Sequence, residues 1–368
     1  MTDYPRLFSP TQINRLQIPN RFAMAPMTRQ MSPDQTPTDQ VVEYYRKRAA
    51  GGVGLIITEG TTLRSMESTM NEQVPKLDAS VTVDAWRQVV QAVHAENAKI
   101  AVQIWHVGAL RRPKDTLNPG VGIQSPSGLS SPGKRKAEPL TDTQIQGIID
   151  DYVESARVAK EIGFDAIELH GAHGYLIDQF LWAGTNERSD RWGGDMLARS
   201  EFVCAVVRAV RKEVGPDYPL ILRMSQWKQQ EYTAKLADSP EDLERLLTVI
   251  VDAGLDSLHC STRRYWEPEF SGSTLNFAGW AKKLTGIHTI TVGSVGLDTE
   301  FIETYMSDDQ TGTASHMPDL EARIEANEFD MVAVGRALIA NPDWVALVRD
   351  AALSDAQGFT RAMLAELK

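Results

Sequence analysis

The chain has 368 residues, of which 42% are hydrophobic and 24% charged, the balance of a folded protein with a substantial core rather than a disordered or fibrous one. A net charge of −11 and a pI near 5.2 argue against a nucleic-acid partner, because gripping a phosphate backbone needs clustered Lys and Arg and the one basic cluster is the short "GKRK" at 133–136. Cys204 and Cys260 are too few for a disulfide framework or an iron–sulfur cluster, no apolar run approaches the roughly twenty residues that span a bilayer, and "MTDYPRLFSP" is no leader, so a cytoplasmic protein without a membrane partner is expected.

Short apolar runs rich in Val, Ile and Leu recur in chain order: "RFAMAPM" (21–27), "VGLIITEG" (53–60), "KIAVQIWH" (99–106) and "FDAIELHG" (164–171). "PLILRMS" (219–225), "LDSLHCST" (255–262), "HTITVG" (288–293) and "DMVAVGR" (330–336) follow. Stretches of helical spacing lie between most of them, such as "TVDAWRQVVQAVHAEN" and "TQIQGIIDDYVESARVAKEIG". Ser239 with Pro240 reads as a cap and first turn, and Gly163 and Gly254 stand where helices should stop. Eight strands alternating with helices, with no dividing linker, predict an α/β fold: one (β/α)8 TIM barrel over residues 1–368, with an N-terminal cap and long loops at the C-terminal mouth. The loops at 107–140 and 262–273 are expected to shape the site, the second through its aromatics.

Side chains at strand C-terminal ends converge on one mouth of a barrel. Here they are Thr28, Glu59, Gln103, His106, His170, His173, Arg223, His259, Ser294 and Arg336. Alternation along "FDAIELH" turns Ile167 and Leu169 outward and Ala166, Glu168 and His170 inward. If the chain enters a helix at once, His173 comes round beside His170, with Tyr175 close by. Two imidazole N–H groups aimed at one point would stabilise charge growing on a substrate oxygen, and a phenol would deliver a proton. The competing readings are a satisfied core histidine and a metal site completed by His106, His259 or Glu59. The HExxH pattern and a dense carboxylate cluster are both missing, which disfavours metal, and no metal ligands are assigned.

"GLSSPGKR" (128–135) has phosphate-loop spacing but ends in Arg135 where Ser or Thr would hold magnesium, and no GxGxxG opens a helix after a strand. "VGSVG" (292–296) and "VGRAL" (334–338) instead close the last two strands, where barrels often bind phosphate. Gly293, Ser294, Gly335 and Arg336 are therefore candidate phosphate contacts, and an organic phosphate such as flavin mononucleotide is the expected ligand.

Four segments in order, "LFSPTQINRLQIPNRFAMAPMTR" (7–29), "VQIWH" (102–106), "ELHGAHGYLIDQFL" (168–181) and "VAVGRALIANPDW" (332–344), give the chain a resemblance to the Old Yellow Enzyme family of flavin-dependent ene-reductases. The resemblance covers nearly the whole chain. It implies non-covalent FMN, with Pro26, Met27 and Thr28 under the flavin, Gly60 near the ring, Gln103 on the pyrimidine edge and His170 close to it. Arg223 falls beside N1 and O2, where the reduced flavin carries charge. His170 and His173 match the pair that holds a substrate carbonyl oxygen, Tyr175 matches the proton donor, and Thr28 and Trp105 border the substrate. Trp227, Tyr265 and Trp266 are further candidates for the pocket wall.

The implied reaction takes hydride from NADPH or NADH through flavin N5 to the β-carbon of an activated alkene, while Tyr175 protonates the α-carbon. "SDRWGGDMLAR" (189–199) departs from the family pattern at Asp195 and Met196, and 303–328 is longer than the pattern, as a subgroup insertion or an interface would be. The resemblance leaves the choice of nicotinamide, the physiological alkene and the oligomeric state open.

Overall fold

A computed structural model describes residues 2–111, 120–298, 311–313 and 316–368. Eight strands form one closed, wholly parallel barrel: β1 (Phe22–Met24), β2 (Leu55–Thr62), β3 (Lys99–Trp105), β4 (Ala166–His173), β5 (Leu220–Lys228), β6 (Ser257–Ser261), β7 (His288–Val292) and β8 (Met331–Val334). Every apolar run read from the sequence overlaps one of them, and β2, β4 and β5 continue past the run's end. The seam is closed by β8 against β1, with Val332 opposite Phe22 and Val334 opposite Met24.

The helices packed outside are α1 (Asp39–Ala50), α2 (Val83–Ala95), α3 (Asp142–Ile162), α4 (Glu201–Val214), α5 (Pro240–Asp252), α6 (Phe277–Thr285), α7 (Met317–Glu325) and α8 (Trp344–Arg349). Their ends follow local chemistry. Thr141 and Gln144 form a reciprocal capping box that starts α3, and Gly163, with φ of 104°, ends it in the left-handed region. The Ser239 side chain accepts from the Asp242 N–H ahead of α5, with Pro240 at its first position.

Two apolar layers result. Ile167 and Leu169 belong to the layer between barrel and helices, whereas Ala166, Ile221, Ile290 and Ala333 fill the interior, as strand alternation requires. An antiparallel hairpin, Thr11–Ile13 with Leu16–Ile18, places Ile13 and Ile18 in that inner cluster and so caps the barrel. Each fully buried Ile contributes about 2 kcal/mol by leaving water.

Strand β4 departs from expectation at its end. It does not turn into a helix after His170 but continues to His173, with a register irregularity between Gly171 and His173. His173 and Gly174 then take φ of 63° and 79°, and a short helix, Leu176–Leu181, begins behind Tyr175. The described part of 107–140 includes a 3-10 turn, Gly108–Leu110, and a small hairpin, Leu129–Ser131 with Lys134–Arg135. Residues 112–119, 303–310 and 314–315 lie outside the described residues, so the long 303–328 segment is seen chiefly as α7. Asp195 accepts from the Ala198 N–H and caps a short helix, which gives that departure from the family pattern a packing role. Among the described residues no helix is long and apolar enough to cross a membrane.

Candidate active site

A cavity of about 380 Å³ opens at the C-terminal ends of the strands, within the range of small-molecule sites. Pro26, Met27 and Thr28 after β1 line it, as do Gln103 and Trp105 on β3. His170, His173 and Tyr175 at the end of β4 line it beside Arg223 and Trp227 of the adjacent β5, while Gly293, Ser294, Gly335 and Arg336 follow β7 and β8. Residues scattered over the sequence thus meet because parallel strands end at one mouth.

Gly60 is the exception. A Cβ added there would stand 2.6 Å from Trp105 Cε3, so Gly60 packs against the indole that lines the cavity without lining it itself. Tyr265 and Trp266 also stay off the wall. The Tyr265 N–H donates to the Gly293 carbonyl, Asn276 Nδ2 donates to the Tyr265 carbonyl, and both rings turn onto His316. Described residues of 107–140 do not line the cavity either.

The rings form a connected wall. His170 and His173 have centroids 5.2 Å apart and nearly perpendicular planes, and Tyr175 lies 4.9 Å from both His170 and Trp105. Trp227 packs 4.6 Å from His173, and Tyr232 stacks on Trp227. Burial, followed by the nearby Arg223 charge, pushes both histidines well below their ordinary pKa, which keeps them neutral. His170 Nδ1 accepts from the Ala172 N–H, so its proton sits on Nε2. His173 Nε2 pairs with Ser261 Oγ at 2.8 Å. Burial raises the Tyr175 phenol, which holds its proton.

Beneath these groups Glu168 is completely buried and doubly bonded. Gln103 Nε2 donates to Glu168 Oε1, and His259 Nδ1 donates to Glu168 Oε2, both at 2.7 Å. The inward carboxylate is therefore tied to neighbouring strands. Arg223, which feels the Glu168 charge, carries a buried Nε without a protein acceptor. Of the other strand-end candidates, Glu59 accepts from the Arg29 N–H at 2.9 Å, and His106 pairs with Gln124 Oε1 at 2.8 Å. Neither they nor His259 reach the cavity wall, and among the described residues no three His, Cys, Asp or Glu side chains converge as metal ligands.

Sequence reasoning did not reach several wall residues: Arg29 and Arg263, Gln229 and Tyr232, and Phe359 and Leu364 from the C-terminal region. Arg29 could have been suspected, as it directly follows Thr28. Four of the others lie on loops and Leu364 on a short 3-10 helix, Arg361–Ala365, none with a direction that a local pattern encodes.

The donor set suits a flat heterocycle bearing a phosphate. Arg223 Nε wants an acceptor, Gly335 is bare enough that an added Cβ would meet nothing nearer than Met27 Sδ at 3.5 Å, and Ser294 and Arg336 stand beside it. Fold and site together define a flavin-binding barrel oxidoreductase. Residues 6–352 match the NADH:flavin oxidoreductase / NADH oxidase family, and the chain belongs to that family, the Old Yellow Enzyme group. The cofactor of that family is FMN.

The chain is 33% identical over 353 residues to an NADH oxidase of Thermoanaerobacter brockii, covering 94% of this chain and 50% of that protein. It thus spans half the length of this relative. It is also 33% identical over 365 residues to 12-oxophytodienoate reductase 7 of Oryza sativa subsp. japonica, covering 92% and 86%. Among solved structures, morphinone reductase superposes with a TM-score of 0.80 at 28% identity, over 99% of this chain and 94% of that one.

Proposed function

We propose that this protein is an ene-reductase that draws hydride from NADH or NADPH and reduces the C=C bond of α,β-unsaturated carbonyl compounds or similarly activated alkenes in two alternating half-reactions. The observation that carries the reading is the neutral His170 and His173 pair with a protonated Tyr175 beside it, on one cavity wall with the unsatisfied Arg223. Bound FMN supplies a two-electron carrier between nicotinamide and alkene. Arg223 and Gln103 would hold its polar ring edge, Pro26, Met27 and Thr28 its underside, and Gly293, Ser294, Gly335 and Arg336 its phosphate.

His170 offers Nε2–H to a substrate carbonyl oxygen. A hydroxyl proton donated by Ser261 to His173 Nε2 leaves the second imidazole's proton on Nδ1, free for the same oxygen. Neutral donors of this kind gain strength as negative charge grows on that oxygen, which is the differential binding that catalysis needs. Hydride arrives at the β-carbon, Tyr175 gives its proton to the α-carbon, and solvent restores the phenol. The net change is alkene plus reduced nicotinamide plus a proton to saturated product plus oxidised nicotinamide. Trp105 and Trp227 flank this reaction space and exclude water.

The test is the visible spectrum of the purified protein under anaerobic conditions. Flavin bands that bleach with NADH or NADPH and return on adding 2-cyclohexen-1-one support both half-reactions. Bands that bleach and return only with oxygen would overturn the alkene assignment.

A further inference from the structure

Behind the reacting groups lies an ion pair that the proposed chemistry does not use. Lys228 Nζ and Asp178 Oδ1 are 2.7 Å apart, and both side chains are fully buried. Such a pair gives weak net stabilisation, because desolvating two charges offsets their attraction, so its placement needs another reason. That placement is specific. Asp178 Oδ2 accepts the Gly174 N–H at 2.7 Å, Lys228 Nζ donates to the Ser225 carbonyl at 3.0 Å, and Ser225 Oγ accepts the His173 N–H at 2.9 Å.

Two of these bonds, from the His173 and Gly174 N–H groups, end on the His173, Gly174, Tyr175 turn, and Lys228 ties their two acceptor residues together. The turn is a costly backbone, with two consecutive residues at positive φ, the first a histidine. Gln179 Nε2 and Gln230 Nε2 both donate to the Gly174 carbonyl, completing the clamp. A turn so disfavoured persists only where its surroundings over-determine it. Its two flanking side chains are the second imidazole and the phenol of the site.

We infer that Asp178 and Lys228 are positioning residues, a buried pair that locks the His173, Gly174, Tyr175 turn and thereby aims the proton-donating phenol. The pair joins the end of β5 to the Leu176–Leu181 helix, so it sets the distance between the two elements that bracket the turn. This rests on the proton-donor role of Tyr175 proposed above.

The experiment uses the FMN-loaded protein and four variants: Asp178→Asn, the charge-free Asp178→Asn/Lys228→Met, Tyr175→Phe, and Asp178→Asn combined with Tyr175→Phe. Each half-reaction is followed by rapid mixing, and the His173 ring is observed by NMR of histidine-labelled protein at fixed pH. Asp178→Asn should slow reoxidation by 2-cyclohexen-1-one by about tenfold or more while flavin reduction changes by less than about twofold. That loss should vanish in the Tyr175→Phe background, and the His173 signals should move. The charge-free variant keeps an acceptor for Gly174 and guards against a folding defect.

Equal slowing of both half-reactions, or the same loss with and without Tyr175, would show a merely structural pair. If Tyr175→Phe alone leaves enone reduction untouched, the proton-donor reading is wrong. In that event unmoved His173 signals in the charge-free variant overturn the positioning role, and moved signals sustain it for the imidazole.

Discussion

His259 Nδ1 lies 2.7 Å from Glu168 Oε2 at the floor of the site, both side chains being wholly inaccessible to solvent. Because Gln103 Nε2 takes the other carboxylate oxygen, the carboxylate fixes the Gln103 amide with its carbonyl turned away from Glu168. Glu168→Gln would replace one accepting oxygen with a donor facing another donor. The expected result is a loss of about 2 kcal/mol in the flavin-free protein, read by urea unfolding. An unchanged midpoint would mean the amide finds partners by rotation.

Arg223 keeps a buried Nε without a protein acceptor, which is what the proposed flavin contact requires, and burial depresses its pKa. Arg223→Met should weaken FMN binding by about 2 kcal/mol, seen in a flavin-fluorescence titration. The same variant, without flavin, should lose less than about 1 kcal/mol of stability. A larger loss in the flavin-free protein would make Arg223 chiefly a structural residue.

Glu59 is buried under the segment that follows β1, and desolvation lifts its pKa from 4.5 to about 7 against the two backbone N–H groups that favour its charge. A carboxyl whose folded pKa is raised holds its proton more tightly when folded. Its contribution is therefore fully present below about pH 4.5 and is lost as pH rises through about 7, by roughly 3 kcal/mol. Glu59→Gln removes the titration, so the gap in stability between variant and parent should swing in the variant's favour from pH 4.5 to 7.5. Parallel urea profiles at the two pH values would refute the assignment.

Gly174→Ala adds a Cβ 2.0 Å from Gln230 Oε1 at a backbone φ of 79°. It should cost about 2 kcal/mol and slow alkene reduction more than flavin reduction, because the turn carrying Tyr175 must shift. Thermal unfolding and the two half-reactions measure both effects.

The eight strands were legible because strands of a parallel barrel, covered on the outside and packed within, read as apolar runs. The phosphate candidates were legible for a related reason: Gly293 and Gly335 directly follow such runs. Tyr265 and Trp266 misled because an aromatic-rich loop announces burial but not direction. Here backbone bonds to Gly293 and Asn276 turn the loop towards His316. His173 was expected beside His170, and it is, though by a bulged strand end and a positive φ rather than by a helical turn. Phe359 and Leu364 reach the wall through tertiary contacts, with Arg29 Nη2 holding the Met363, Leu364 and Glu366 carbonyls.

The β8 to β1 seam places the segment after Met24, proposed to lie under the ring, next to the one after Val334, proposed to hold the phosphate, so these parts of the site meet across the joint between the barrel's first and last strands. Collapse and helix formation can precede that joint, since they depend on nearer contacts, whereas joining residues so distant in sequence carries the largest loop-closure cost. On the proposed site, a refolding chain should gain flavin affinity as the cylinder is sealed. Quenching of free FMN fluorescence during refolding becomes a clock for ring closure, and excess FMN shifts the equilibrium toward the sealed state by mass action.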